Sequence, residues 1–201
     1  MINPELMQDL REQIRTDIRA GFEGPDAICA MAIDTFAADA DADELQMIAR
    51  ALVKQELAAR QHLEAEWPDV TDCDMLDAAF AALEVKGIVC RQHFTCCGTC
   101  GSTEIWDEID AAEQAGRAVR GYAFYHQQDT ESAVEGYGLY LNYGAVAQGE
   151  EAAIAIGHEL VQQLEASGLT TDWNGRLDRR IAVTLDWKRR HQAATASPLA
   201  Q

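Results

Sequence analysis

Apolar side chains in the first part of the chain recur at the three-to-four-residue spacing of an amphipathic helix. The first such stripe contains Met7, Leu10, Ile14 and Ile18. Asn3 precedes this stripe as a favourable N-cap, and Gly21 follows it as a stop signal. Similar stripes follow, separated by proline, glycine and runs of polar residues. The pattern therefore predicts a helical N-terminal region over residues 1–86.

After Gly87 the pattern changes to short alternating runs bounded by turn residues. The runs predicted to form strands or a hairpin cover residues 88–90, 121–126, 138–143 and 170–187. One helix is predicted between the first two runs and another between the last two. This order predicts an α+β domain over residues 87–190, with a ferredoxin-like (split βαβ), mainly antiparallel sheet and helices on one face. Residues 191–201 are predicted to be a flexible tail.

The chain carries a net charge of −18 over 201 residues. A field of that sign repels nucleic-acid phosphates and anionic lipid, so we expect neither nucleic acid nor a membrane surface as a partner. A basic protein partner would be attracted, although solubility is the simpler explanation of the charge. No apolar run is long enough to span a bilayer, and the charged N-terminal residues do not resemble a targeting signal. We therefore expect a cytoplasmic location, where thiols are kept reduced.

Thiols are concentrated in the segment between the first predicted strand and the helix that follows it. The candidate thiol or metal ligands are Cys90, Cys96, Cys97 and Cys100. Amide groups at the start of that helix would favour a thiolate and so lower a cysteine pKa. In a reducing compartment, clustered cysteines of this kind indicate metal binding or redox chemistry more often than a structural disulfide.

Three explanations of the cysteines stay open. Zinc prefers four nitrogen or sulfur ligands, which these thiols could supply together with His93 or His126. A redox pair is the second explanation, but a thioredoxin fold is disfavoured because no proline between residues 69 and 197 could provide its cis-proline. The third is that some of the thiols are small buried hydrophobes, as we expect for Cys29 and Cys73 on predicted helices.

A polar segment after the strand of residues 121–126 is the second candidate site. It places His126, Asp129 and Glu131 within six residues of one another. An imidazole beside carboxylates can act as a general base or as a metal ligand. The simpler explanation is that Asp129 or a neighbour caps a helical turn while His126 packs at the end of the strand.

Several motifs in the second half resemble those of an uncharacterised bacterial family, a domain of unknown function. The motifs are Phe94-Thr95-Cys96-Cys97-Gly98-Thr99-Cys100, Gly121-Tyr122-Ala123-Phe124-Tyr125-His126-Gln127-Gln128-Asp129-Thr130-Glu131, Gly138-Leu139-Tyr140-Leu141 and Asp186-Trp187. The resemblance covers about residues 70–190. It implies no activity, and indicates only that the cysteine-rich and histidine-containing segments belong to one recurring arrangement.

These features support a leading hypothesis and two alternatives, and they leave open whether the protein is an enzyme. The leading hypothesis is a thiol-rich site that binds a metal such as zinc or acts as a redox switch. The first alternative is an acidic interaction or inhibitor module without catalysis. The second is a hydrolase using His126 and Asp129, although no serine-nucleophile elbow or phosphate loop supports it. If the strands before the two candidate segments run parallel, we expect the segments to lie close together.

Overall fold

The computed structural model describes residues 2–191, so the predicted tail lies outside the described residues except for His191. The described residues divide into two compact units, one of residues 2–68 with 188–191 and one of residues 69–187. The α+β class and the order of N-terminal helices before a sheet are confirmed. No helix in the part of the chain that the structure describes is long and apolar enough to cross a membrane.

The helical unit contains α1 (Pro4–Ala20), α2 (Pro25–Thr35) and α3 (Ala42–Glu64). The caps of α1 follow from the sequence: the Asn3 side chain accepts a hydrogen bond from the Leu6 amide at 2.8 Å, and Gly21 ends the helix with φ 79°. The buried core of the unit is drawn from all three helices. It includes Leu10, Ile14, Ile18, Ile28, Ala32, Leu45, Ala49 and Leu52.

A buried carboxylate on α3 links this helix to two arginines of α1. Glu56 accepts hydrogen bonds at 3.0 Å from the guanidinium groups of Arg11 and Arg15. The hydrogen bond from Arg15 outweighs the effect of burial and holds the pKa of Glu56 below its usual range. Pairing therefore makes the burial of this charge tolerable.

The second unit is built on a five-stranded sheet. Its elements are α4 (Asp72–Val85), β1 (Ile88–Arg91), α5 (Gly98–Gln114), β2 (Gly121–Phe124), α6 (Gln127–Val134), β3 (Leu139–Ala145), α7 (Glu150–Ala166), β4 (Thr170–Asp172) and β5 (Ile181–Thr184). The strand order is β1-β2-β3-β5-β4. β1 and β2 are parallel and the other neighbours are antiparallel, so the predicted hairpin of β4 and β5 is confirmed.

The ferredoxin-like detail is not confirmed. β1 and β2 are direct hydrogen-bonded neighbours, whereas a split βαβ unit has another strand between its two parallel strands. The crossover helix α5 therefore joins two adjacent strands. This strand order is decided by pairing between strands that are far apart in sequence. The pattern of apolar and polar residues within each strand does not specify which strands pair.

Helices pack on both faces of the sheet, and the expectation of helices on one face is wrong. Gly101 of α5 lies against the Phe124 ring, where a Cβ atom would come within 2.4 Å of it. Gly157 of α7 lies against the rings of Trp173 and Tyr143. Tyr143 is opposite Ala123 in the sheet, so it is on the face that Phe124 does not occupy. α5 and α7 therefore cover opposite faces.

The close approach of α5 to the sheet gives a stability prediction. Gly101→Ala should lower the free energy of unfolding by about 1–3 kcal/mol, because the added methyl group overlaps the fully buried Phe124 ring. Gly98→Ala, in the same helical turn, is the matched control, since its Cβ would make only contacts of 3.5 Å or longer. Urea unfolding of the two variants and the parent measures the difference. Equal stability of the two variants would contradict the packing argument.

Candidate thiol site and the adjacent histidine loop

The segments that follow β1 and β2 begin at the same edge of the sheet because these strands are parallel. The amide of Phe94 donates to the carbonyl of Tyr125 at 2.9 Å, and the amide of Gln127 donates to the carbonyl of Thr95 at 3.1 Å. Nδ1 of His93 lies 2.9 Å from the Thr130 hydroxyl. The expected proximity of the cysteine-rich and histidine-containing segments is therefore confirmed.

The loop before α5 adopts an uncommon backbone conformation. His93 has φ 50° and Thr95 has φ 56°, in the left-handed region that β-branched residues such as threonine rarely enter. The Thr95 hydroxyl donates to the carbonyl of Cys97 at 3.2 Å, while its own carbonyl accepts from Gln127. These contacts hold the loop in a strained shape, which is a feature often found at functional sites.

Three thiols converge where this loop enters α5, and we call them the cysteine cluster: Cys96, Cys97 and Cys100. Their sulfur atoms all lie within 4.8 Å of one another, and those of Cys96 and Cys100 are 3.5 Å apart. Cys96 is exposed, whereas the other two are partly buried. The cluster is accessible and pre-assembled, and it has the donor type that soft and borderline metals prefer.

The thiols of the cluster differ in acidity. Cys97 is the N-cap residue of α5, and although its side chain makes no capping hydrogen bond, the amide of Cys100 and the neighbouring thiols lower its pKa. Hydrogen bonding to the sulfur atoms of Cys96 and Cys97 raises the pKa of Cys100 to about 11. Of these two thiols, Cys97 therefore becomes a thiolate more readily, as expected at the positive end of a helix.

Cys90 is not part of the cluster. It is buried in β1, its thiol donates to the carbonyl of Ile88 at 3.5 Å, and burial raises its pKa strongly. It is opposite Ala123 in the sheet, so it lies on the face away from α5. Cys29 and Cys73 are buried in helices, as predicted. Burial makes these three thiols less accessible to a metal or an electrophile than the thiols of the cluster.

His126 and Asp129 form the capping box that begins α6. Nδ1 of His126 accepts from the Asp129 amide at 3.2 Å, and Oδ2 of Asp129 accepts from the His126 amide at 3.2 Å. Burial, aided by the charge of Arg180, lowers the pKa of His126 against the opposing effect of Asp129. The imidazole is thus held neutral, with its proton on Nε2, which lies 3.0 Å from Oδ2 of Asp129.

Asp129 is only 3% exposed and is neutralised by Arg180, whose Nη1 donates to both carboxylate oxygens at 2.9 and 3.1 Å. Its lone pairs are therefore occupied by structural hydrogen bonds. Glu131 is exposed and lies two residues farther along α6, on a different side of the helix. The structure brings His126 and Asp129 together but does not add Glu131 to them.

The cysteine-rich and histidine-containing segments also meet at Gly98. A Cβ atom on Gly98 would lie 3.5 Å from Cδ2 and Nε2 of His126 and 4.0 Å from Oδ1 of Asn142. The imidazole therefore lies against the first residue of α5, directly beside the N-cap Cys97. Sequence reasoning missed Arg180 and Asn142, because neither stands in a motif and both reach this region only through pairing of distant strands.

We expect the thiols to react in the order of their acidity and exposure. In reduced, metal-free, folded protein at neutral pH, iodoacetamide should label Cys97 first and Cys90 and Cys73 last. The lowered pKa of Cys97 gives it the larger thiolate fraction, whereas Cys73 is 1% exposed. Fragment masses of the labelled peptides separate Cys96, Cys97 and Cys100. Labelling of Cys97 as slow as that of Cys73 would show that the cluster is not a reactive site.

The neutral imidazole of His126 predicts a pH dependence of stability. Because its folded-state pKa is depressed, the unfolded chain binds the proton more tightly, and stability should fall as the pH drops through the ordinary histidine pKa of about 6.5. His126→Asn retains a good N-cap and should lose less stability between pH 7.5 and 5.5 than the parent. His62→Asn, at an exposed position of α3, is the control and should keep the full loss. Denaturant unfolding at both pH values tests this, and identical losses in all three proteins would refute it.

Comparison with known proteins gives a family and no activity. The family model described as a domain of unknown function (DUF6891) matches residues 3–191. No curated protein and no solved structure matches the chain.

Proposed function

The chain belongs to the DUF6891 family of domains of unknown function, and we propose that its cysteine cluster is a thiolate site for a soft or borderline metal cation such as Zn²⁺. The observation that carries the proposal is the convergence of three sulfur atoms within 4.8 Å of one another. Ligands at a Zn–S distance of about 2.3 Å in a tetrahedron are separated by about 3.8 Å. The sulfur atoms of Cys96 and Cys100, 3.5 Å apart, are already near that spacing.

The electrostatics of the site favour a cation. Metal binding requires thiolates, so a thiol with a lowered pKa gives up its proton to a metal at the least cost. Cys97 is such a thiol. A metal ion held by its thiolate would in turn favour loss of the protons of Cys96 and Cys100. The net charge of −18 adds a long-range attraction for cations at low ionic strength.

The fourth coordination position is open in this proposal. Cys90 faces the other side of the sheet, and His126 is held in the capping box with its Nε2 near Asp129. Structural zinc sites use four protein ligands, whereas sites with three leave one position for water or an incoming ligand. An exposed site with three thiolates therefore fits metal exchange or ligand binding better than a purely structural role.

The spacing of Cys96 and Cys100 also favours a second candidate, a reversible disulfide. Their sulfur atoms are 3.5 Å apart, so a short movement would form a bond of about 2.05 Å. Such a bond would remove two metal ligands at once. The two candidates make different predictions for the reduced protein. The metal site requires that it binds a metal ion, whereas the reversible disulfide does not.

We expect reduced protein to bind one equivalent of Zn²⁺ per chain, and Cys97→Ser and Cys100→Ser each to weaken binding by at least about tenfold. Competition with a chromophoric chelator and elemental analysis measure the affinity and the stoichiometry. Cys29→Ala, at a buried thiol of α2, is the matched control and should bind as the parent does.

Two results separate the candidates. Failure of the parent to compete for Zn²⁺, or equal binding by Cys100→Ser, removes the metal site. If a Cys96–Cys100 disulfide then forms on mild peroxide treatment and is reversed by a dithiol, the redox candidate takes its place.

A further inference from the structure

A polar cavity of about 200 Å³ lies in the sheet-containing unit, between the first turns of α5 and the strands β2 and β3. Its walls include Ser102 and Tyr122, the side chain of Asn142, and the arginines Arg179 and Arg180 that precede β5. None of the cysteines lines it. The cavity is smaller than the pockets of about 300–1,000 Å³ that take drug-sized ligands, so it suits a single ring or a short chain.

One of the lining residues, Asn142, carries an unsatisfied donor. Nδ2 of Asn142 is buried and has no hydrogen-bond partner within residues 2–191. Asn142 is opposite Phe124 in the sheet and so is on the face covered by α5, with its Oδ1 near Gly98. Buried polar groups are nearly always paired, because leaving one unpaired costs about 1–3 kcal/mol. A ligand with an acceptor oxygen at this position would satisfy the amide.

The cavity also has cationic groups at its rim. Arg180 uses Nη1 to bind Asp129, and its side chain is still 41% exposed, with Cζ 5.2 Å from the centre of the Tyr140 ring. Arg179 is 58% exposed and lies 3.9 Å from Asp172. The planar fork of an arginine can bind a carboxylate and still present further N–H donors. Each of the two arginines therefore has one carboxylate partner and is still partly exposed.

One acidic residue, Asp178, also lines the cavity. Its carboxylate accepts from Nδ2 of Asn174 at 2.9 Å and lies 3.4 Å from Nε of Arg176. Asp178 is thus engaged with groups of its own loop, and Arg176 offsets its charge. The arginines at the rim are therefore not cancelled by it.

We propose that this cavity binds a small organic anion, with a carboxylate or phosphate group recognised by Asn142 and Arg180 and an apolar body against Tyr122. The amide supplies a neutral donor and the guanidinium supplies charge-assisted hydrogen bonds, which are about twice as strong. The site adjoins the proposed metal site, since Asn142 lies beside Gly98, but the two share no residue because the lining of the cavity contains no thiol. It adds a ligand class that the cysteine cluster does not imply.

The test uses the full chain and simple probes. Phenyl phosphate, benzoate and inorganic phosphate are titrated into ¹⁵N-labelled protein, with benzyl alcohol as the neutral probe. At least one anionic probe should give a saturable shift of the Asn142 side-chain amide, whereas benzyl alcohol should not. The relative affinities of the three anions identify whether phosphate or carboxylate is preferred and whether the ring contributes.

Substitutions then locate the site. Asn142→Asp preserves shape but places a negative charge in the cavity, so it should weaken anion binding by at least about tenfold. Arg179→Gln should weaken it while leaving the Arg180–Asp129 pair intact. Arg120→Gln is the matched control, because Arg120 also pairs with a carboxylate, that of Glu159, and lies away from the cavity.

The proposal is overturned if no anion saturates the Asn142 signal, if benzyl alcohol shifts it equally, or if Asn142→Asp binds the anions as the parent does. Cys97→Ser should bind the anions normally. This last variant separates the two proposals, because it should weaken Zn²⁺ binding by at least about tenfold and leave anion binding in the cavity unchanged. Circular dichroism of each variant verifies that the fold is retained.

Discussion

Parallel pairing of β1 with β2 is the constraint on which the rest of the candidate site depends. The register of Arg91 opposite Phe124 makes both strands end at the same edge of the sheet. The segments that follow the two strands are then close enough for backbone hydrogen bonds between them. The amide of Phe94 donates to the carbonyl of Tyr125, and the amide of Gln127 donates to the carbonyl of Thr95. Because β1 and β2 are connected through α5, the start of that helix, with its thiols, must also lie at this edge.

The buried carboxylate of Asp129 holds the histidine-containing segment in place. Asp129 accepts hydrogen bonds from the amide of His126, the N-cap residue of α6, and from Arg180, which is 51 residues away and directly precedes β5. One carboxylate thus links the start of a helix to the start of a distant strand. A carboxylate that is 3% exposed requires such partners, since an unpaired buried charge is far more costly than a paired one. The same contacts hold the imidazole of His126 against Gly98 and leave Arg180 at the rim of the polar cavity.

Cysteines of this chain have different chemistry because they have different surroundings. The pKa of Cys97 is lowered at the start of α5, the pKa of Cys100 is raised to about 11 by its neighbours, and burial raises the pKa of Cys90. In the sequence all three belong to one cysteine-rich stretch. Alternation along β1 directs the Cys90 side chain to the sheet face away from α5, which removes it from the cluster.

The sequence by itself determined the features that depend on neighbouring residues: the stripe and caps of α1, the β4–β5 hairpin and the gathering of three thiols. Local spacing, capping and turn chemistry are sufficient for these. Tertiary structure alone decided the strand order, the helices on both sheet faces, and the placement of Arg180 and Asn142 beside the first turn of α5. Those features arise from pairing between strands that are distant along the chain, and a local pattern of apolar and polar residues is compatible with more than one such pairing.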